Sequence, residues 1–165
     1  MRLLLSLSAL VFLAGCPYES PKPLSMPAGA IIDEKLLGSW KYAEKGKREA
    51  GLVTISRFND SELLIVLEEE GKMEREMMRG YVTNIDGEKF LNLQNIEGGY
   101  DARKWIFVSY TTGDCSLTYR VVNDSIAPAV VDPGLSSDQL RKLIKKNLRN
   151  KQIYDEETTL TCTGT

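Results

Sequence analysis

The sequence predicts a mainly β domain: an eight-stranded antiparallel barrel in up-and-down order, with one α-helix packed outside it before the last strand. Three observations carry this. Short runs of β-forming residues recur along the chain, each ended by a polar or glycine-bearing turn. Only one stretch, 136–150, has sustained helical periodicity. Strands joined by short connections pair as neighbours, and a meander of seven with a returning eighth loses its exposed edges by closing.

At the N-terminus, Arg2 is the only charge before an apolar run, 3–13, of the length of a signal-peptide hydrophobic region. A spanning helix needs roughly 20 apolar residues, so this run is expected to be cleaved rather than to span. It ends in Leu13-Ala14-Gly15-Cys16. That quartet looks like the lipobox of bacterial lipoproteins, which implies removal of 1–15 as a signal peptide and acylation of Cys16 as the first residue of the mature chain. Each buried methylene of an acyl chain adds about 0.8 kcal/mol, so several chains hold a domain on a membrane without a spanning segment. Pro17 stands where an Asp retains enteric lipoproteins in the inner membrane, which implies the outer membrane and a domain facing the periplasm. Residues 16–30 follow, with four of the six prolines between Pro17 and Gly29. Such a stretch builds neither a helix nor a central strand and reads as an extended tether, with the folded domain at 31–165.

The strands come in order. The run 36–42 contains Trp40 and Tyr42 and ends in the polar turn 43–47; 52–58 is rich in β-formers and stops at Asn59-Asp60-Ser61. A short apolar run, 63–67, precedes Glu68-Glu69-Glu70-Gly71-Lys72, and 73–85 leads into Asp86-Gly87. Asp-Gly is a strong hairpin signal, because both central residues of a type I′ turn need positive φ. Strands at 90–96, 104–111 and 115–122 complete the meander, with turns at Gly98-Gly99 and Thr112-Gly113-Asp114. Asn123-Asp124 and Asp132-Pro133-Gly134 then read as turns.

Ser136 and Gln139 have capping-box spacing at the start of the helix, and Leu135 is placed to staple onto Leu140. Leu140, Leu143, Ile144 and Leu148 share one face, and Arg141, Lys142, Lys145, Lys146 and Arg149 occupy the rest. Two readings of these cations stay open: an ordinary solvated face, or contact with anionic lipid head groups. The last strand, 157–163, carries Leu160 and Cys162.

With Cys16 taken by lipid, Cys115 and Cys162 remain as an even pair in an oxidising compartment. They fall on the last two strands, which are neighbours in the expected order, so a structural disulfide is predicted. A loop of that length makes it worth about 4 kcal/mol in the chain-entropy argument.

Gly38-Ser39-Trp40, preceded by Leu36-Leu37, resembles the Gly-x-Trp signature that opens lipocalins, and several small bacterial lipoproteins have lipocalin-like barrels. The resemblance spans about five residues and implies that Trp40 plugs one end of the barrel; a plain core tryptophan would occupy nearly the same place. The helix departs from the family pattern, since it lies before the final strand.

The chain has no histidine, which removes Ser-His-Asp and Cys-His catalysis and the commonest zinc ligand. Neighbouring glutamates of the run 68–70 point to opposite faces of a strand and do not converge on one metal or one bond. No enzyme, cofactor or metal is therefore expected. The mature chain has 20 basic against 23 acidic residues, a net charge of −3, which gives nucleic-acid binding no support. The aromatics Trp40, Tyr42, Trp105, Phe107 and Tyr119 are candidates for lining a pocket for a small apolar ligand; ordinary core packing is the competing account. The sequence thus points to an envelope lipoprotein that binds a small ligand or, with a solid barrel, docks a protein partner or inhibits an enzyme.

Overall fold

A computed structural model describes residues 16–43, 50–97, 103–126 and 135–163. The expected signal segment 1–15 and the turns expected at 44–47, Gly98-Gly99 and Asp132-Pro133-Gly134 lie outside the described residues. Eight strands form a closed antiparallel barrel in sequence order: β1 (Gly38–Ala43), β2 (Ala50–Arg57), β3 (Leu63–Glu69), β4 (Arg75–Ile85), β5 (Glu88–Asn95), β6 (Trp105–Thr112), β7 (Ser116–Val121) and β8 (Thr158–Cys162). Closure is short. β8 pairs with β1 only at Trp40–Cys162 and Lys41–Thr161, and with β7 at four positions.

Period-two alternation sets the register. In β3, Leu63, Ile65 and Leu67 are buried while Leu64 and Val66 between them are half-buried, so a run that is apolar throughout still has an inside and an outside. The β4–β5 hairpin turns as its sequence requires, with Asp86 at φ 51° and Gly87 at φ 88°. Gly80 on β4 faces the interior, where a Cβ would lie 2.6 Å from Leu93 Cδ2.

The first strand starts later than expected. Residues Glu34–Leu36 form a 3₁₀ turn capped by Asp33, and Leu36 turns into the barrel, fully buried beside Ile32. Gly38, at φ 133°, makes the bend that lets β1 begin behind this turn. Ile32 to Leu37 thus form a lid over one end of the barrel.

One outer wall, β4 to β7, is itself a core. Tyr81, Ile85, Phe90, Trp105, Phe107 and Val122 face away from the barrel axis and are covered by Leu140 and Ile144 of the helix α1 (Ser137–Asn147), by Ile153, and by Leu24. The capping box forms as expected: Gln139 N donates to Ser136 Oγ (3.3 Å) and Ser136 N to Gln139 Oε1 (2.8 Å). The helix ends at Asn147, short of the expected 150, and a 3₁₀ turn Lys151–Ile153 leads to β8.

The stretch expected to be a tether is docked on this same wall, so the ordered fold begins near Pro17 rather than at 31. Its residues cross β7, β6, β5 and β4 in turn. Tyr18 N donates to Val122 O, and Ser20 and Trp105 exchange backbone hydrogen bonds. Leu24 N donates to Asn92 Oδ1 (2.8 Å), and the Ser25 hydroxyl bonds that of Thr83 (2.6 Å). Asn92 is fully buried, and its Nδ2 donates to Thr83 Oγ1 and Tyr81 O. Prolines bar a regular strand here, but Tyr18, Ser20 and Leu24 between them keep their N–H groups for partners held by the barrel.

Candidate functional site

Among the described residues, the barrel interior, its lid and the groove beside the lid are concave places where this fold can bind. Inside, Val53, Ile55, Ile65, Met78, Leu91 and Leu117 converge with other apolar side chains around a cavity of about 50 Å³. A pocket for a drug-sized ligand runs to about 300–1,000 Å³, so the interior is nearly filled by its own side chains.

The five aromatics expected to line a pocket divide. Tyr119 lies in the interior wall and Tyr42 packs against the interior cluster, its ring over Gly51. Burial pushes the Tyr119 hydroxyl up to about 12, against a hydrogen bond to Thr158 that pulls it down. Trp40 is buried under the lid, and its Nε1 donates to Leu36 O at 2.9 Å. It ties the lid to β1.

Trp105 and Phe107 face the other way. Trp105 meets Tyr81 edge-on with ring centroids 5.5 Å apart and carries the Arg79 guanidinium over its outer side at 5.2 Å. Phe107, fully buried, packs 6.2 Å from Tyr18. Sequence parity correctly puts 105 and 107 on one face, but that face is the outer wall under the helix and the N-terminal segment. Alternation says which residues share a side and leaves open which side is the inside when both are apolar.

The lid is latched by a polar triad that sequence reasoning missed. Asp33 Oδ2 accepts from Lys89 Nζ at 2.6 Å and from the Tyr110 hydroxyl at 3.0 Å. Burial works against ionisation, yet these two donors and the Lys35 amide together hold the Asp33 carboxyl below its ordinary range. Burial, then the Asp33 charge, raise Tyr110, which stays a neutral donor. The sequence separations of 56 and 77 residues left no local signal for this group.

A depressed carboxyl contributes stability that is complete above its unfolded pKa of about 3.9 and fades as pH falls through the lower folded value. Asp33→Asn is therefore expected to cost about 1–2 kcal/mol near neutral pH and almost nothing in strong acid. Urea unfolding at both pH values checks this; equal stabilities at neutral pH would rule the latch out.

Beside the lid lies an open groove of about 690 Å³, lined by Glu34, Leu37, Trp40, Asp114, Cys162 and Thr163 among others. At its edge Cys115 and Cys162 are joined in a disulfide with Cα atoms 5.1 Å apart, as the neighbouring strands predict. Cys16 is unpaired and exposed. At the opposite end Glu68 pairs with Arg75 and Glu69 with Lys72, a solvated hairpin tip. The Glu76 carboxyl is raised, first by burial and then by the charges of Glu69 and Glu97. Among the described residues, no three His, Cys, Asp or Glu side chains stand together as a metal site. No protein-family model, curated protein or solved structure matches this chain.

Proposed function

We propose that the chain is a non-catalytic envelope lipoprotein, anchored through acyl chains on Cys16 and facing the periplasm from the outer membrane, whose lipocalin-like barrel is a solid scaffold for a protein partner. The observation that carries the scaffold is the interior itself, with only about 50 Å³ of open space at the barrel axis. The apolar side chains that could have lined a pocket instead fill it, and those on β4 to β6 that remain are spent on the outer wall. The lipid anchor is supported by the quartet Leu13-Ala14-Gly15-Cys16. The lack of histidine supports a non-catalytic role, since it removes the usual general base near neutral pH. The groove beside the lid is the concave surface of a size to take a partner's loop.

Carriage of a small apolar ligand is the second reading, favoured by one observation: the residual cavity is faced by apolar atoms, the rings of Tyr110 and Tyr119 included. Native mass spectrometry of the full-length chain, extracted gently from its host membranes, separates the two. Acyl mass on Cys16 and a co-purifying protein, with no bound small molecule, is the expected result. A retained small molecule would overturn the scaffold in favour of the carrier, and an unmodified Cys16 would overturn the anchor.

A further inference from the structure

Resting on the lipid anchor proposed above, we infer that the α1-covered wall is a membrane-docking face, laid against an anionic lipid surface in one fixed orientation. The inference starts from how little slack the anchor has. A free tether of 15 residues would let the barrel wander roughly 20 Å from its lipid. Here Cys16, the acylated residue, is held at the barrel: its carbonyl accepts from Asp124 N at 3.0 Å, and Pro17 bridges to Asn123. From that point the segment runs across the β7 to β4 wall, so acyl chains entering a bilayer bring this wall down to the head groups.

The helix part of the wall is basic, while Glu19 on the docked segment and Asp124 in the turn that holds Cys16 are exposed acids. The 3₁₀ turn Asp124–Ile126 that holds Cys16 also touches α1, and Ile126 shares the outer core with Leu140 and Ile144. With those two residues pointing into the barrel wall, α1 turns its other side outwards. Arg141, Lys142, Lys146, Arg149 and, just beyond, Lys151 are exposed there, and among the described residues none of the five is in an ion pair. Lys145 is the exception, bonded to Asp86 at 2.9 Å, and Asp138 is the single acid of the helix. Next to Ser25 on the same wall, Met26 is 72% exposed, an apolar side chain positioned to enter the interfacial layer. The attraction between a basic segment and an anionic leaflet fades over a Debye length, about 8 Å at physiological salt. An anchor without slack keeps α1 within that range, and each cation there is worth roughly a fivefold gain in membrane residence.

The test is amine-reactive labelling of the lipidated full-length protein, reconstituted in vesicles of phosphatidylcholine alone or mixed equally with phosphatidylglycerol and read by mass spectrometry. Labelling of Lys142 and Lys146 is expected to fall about fivefold in the anionic vesicles. Lys41, exposed on β1 across the barrel, should label alike in both. Arg141→Glu together with Arg149→Glu should restore labelling of Lys146, and high salt should do the same in the unsubstituted chain. Equal labelling in both vesicle types, with acyl mass present on Cys16, would overturn the docking face and leave the anchor standing. Absence of that acyl mass would overturn the anchor, and the docking face with it.

Discussion

Phe107→Ala is expected to cost the domain about 3–5 kcal/mol, the range for emptying a fully buried phenylalanine site. Its ring is completely enclosed on the outer wall, with Tyr18 at 6.2 Å and Leu140 and Ile144 in the same cluster. The loss comes from the transfer of the ring and from the cavity left between β6 and its cover, which neither the helix nor the docked N-terminal segment can fill by small shifts. Urea unfolding would show a lower midpoint with the slope nearly kept. The same substitution discriminates between the two sides of the barrel wall. A ligand-lining Phe107 would leave stability within about 1 kcal/mol and abolish ligand binding, an outcome that would place residue 107 inside the barrel after all.

Cys115→Ser combined with Cys162→Ser is expected to lower stability by about 4 kcal/mol, and reduction of the unsubstituted protein should do the same. The bridge spans a sequence separation of 47 residues, which contains the α1 excursion. Cutting it frees the loop entropy of the unfolded chain. In the native state the effect should be concentrated at the seam, because β8 has two paired positions with β1 and four with β7. Hydrogen exchange would then show Thr158–Cys162 losing protection first, ahead of the long β4–β5 ladder. A loss below about 1 kcal/mol would mean that the residual unfolded structure, or the Thr163–Ser39 hydrogen bonds at the seam, already hold the strand.

These two residue sets also mark how far local pattern reaches. The disulfide was legible because it follows from strand order alone: β7 and β8 are neighbours, and Cys115 and Cys162 extend a ladder that pairs Ser116 with Thr161. Phe107 was legible only by parity. Its partner Trp105 shares its face, as alternation demands, but β6 is largely apolar on both sides, and a doubly apolar strand does not state which side closes on the axis.

By itself the sequence determined what short-range chemistry dictates: eight β runs and their order, the Asp86-Gly87 turn, the Ser136–Gln139 capping box, and the cysteine pair. Each rests on residues a few positions apart or on neighbouring strands, where sterics and hydrogen bonding leave few alternatives. Tertiary structure decided the rest. It put Leu36 under the barrel as a plug, set Asp33 against Lys89 and Tyr110, packed the interior almost shut, and laid Pro17 to Ser25 on the wall instead of leaving a tether. Those outcomes depend on donors, acceptors and apolar surface contributed by distant strands, and such partners exist for a proline-rich segment only after the barrel has closed.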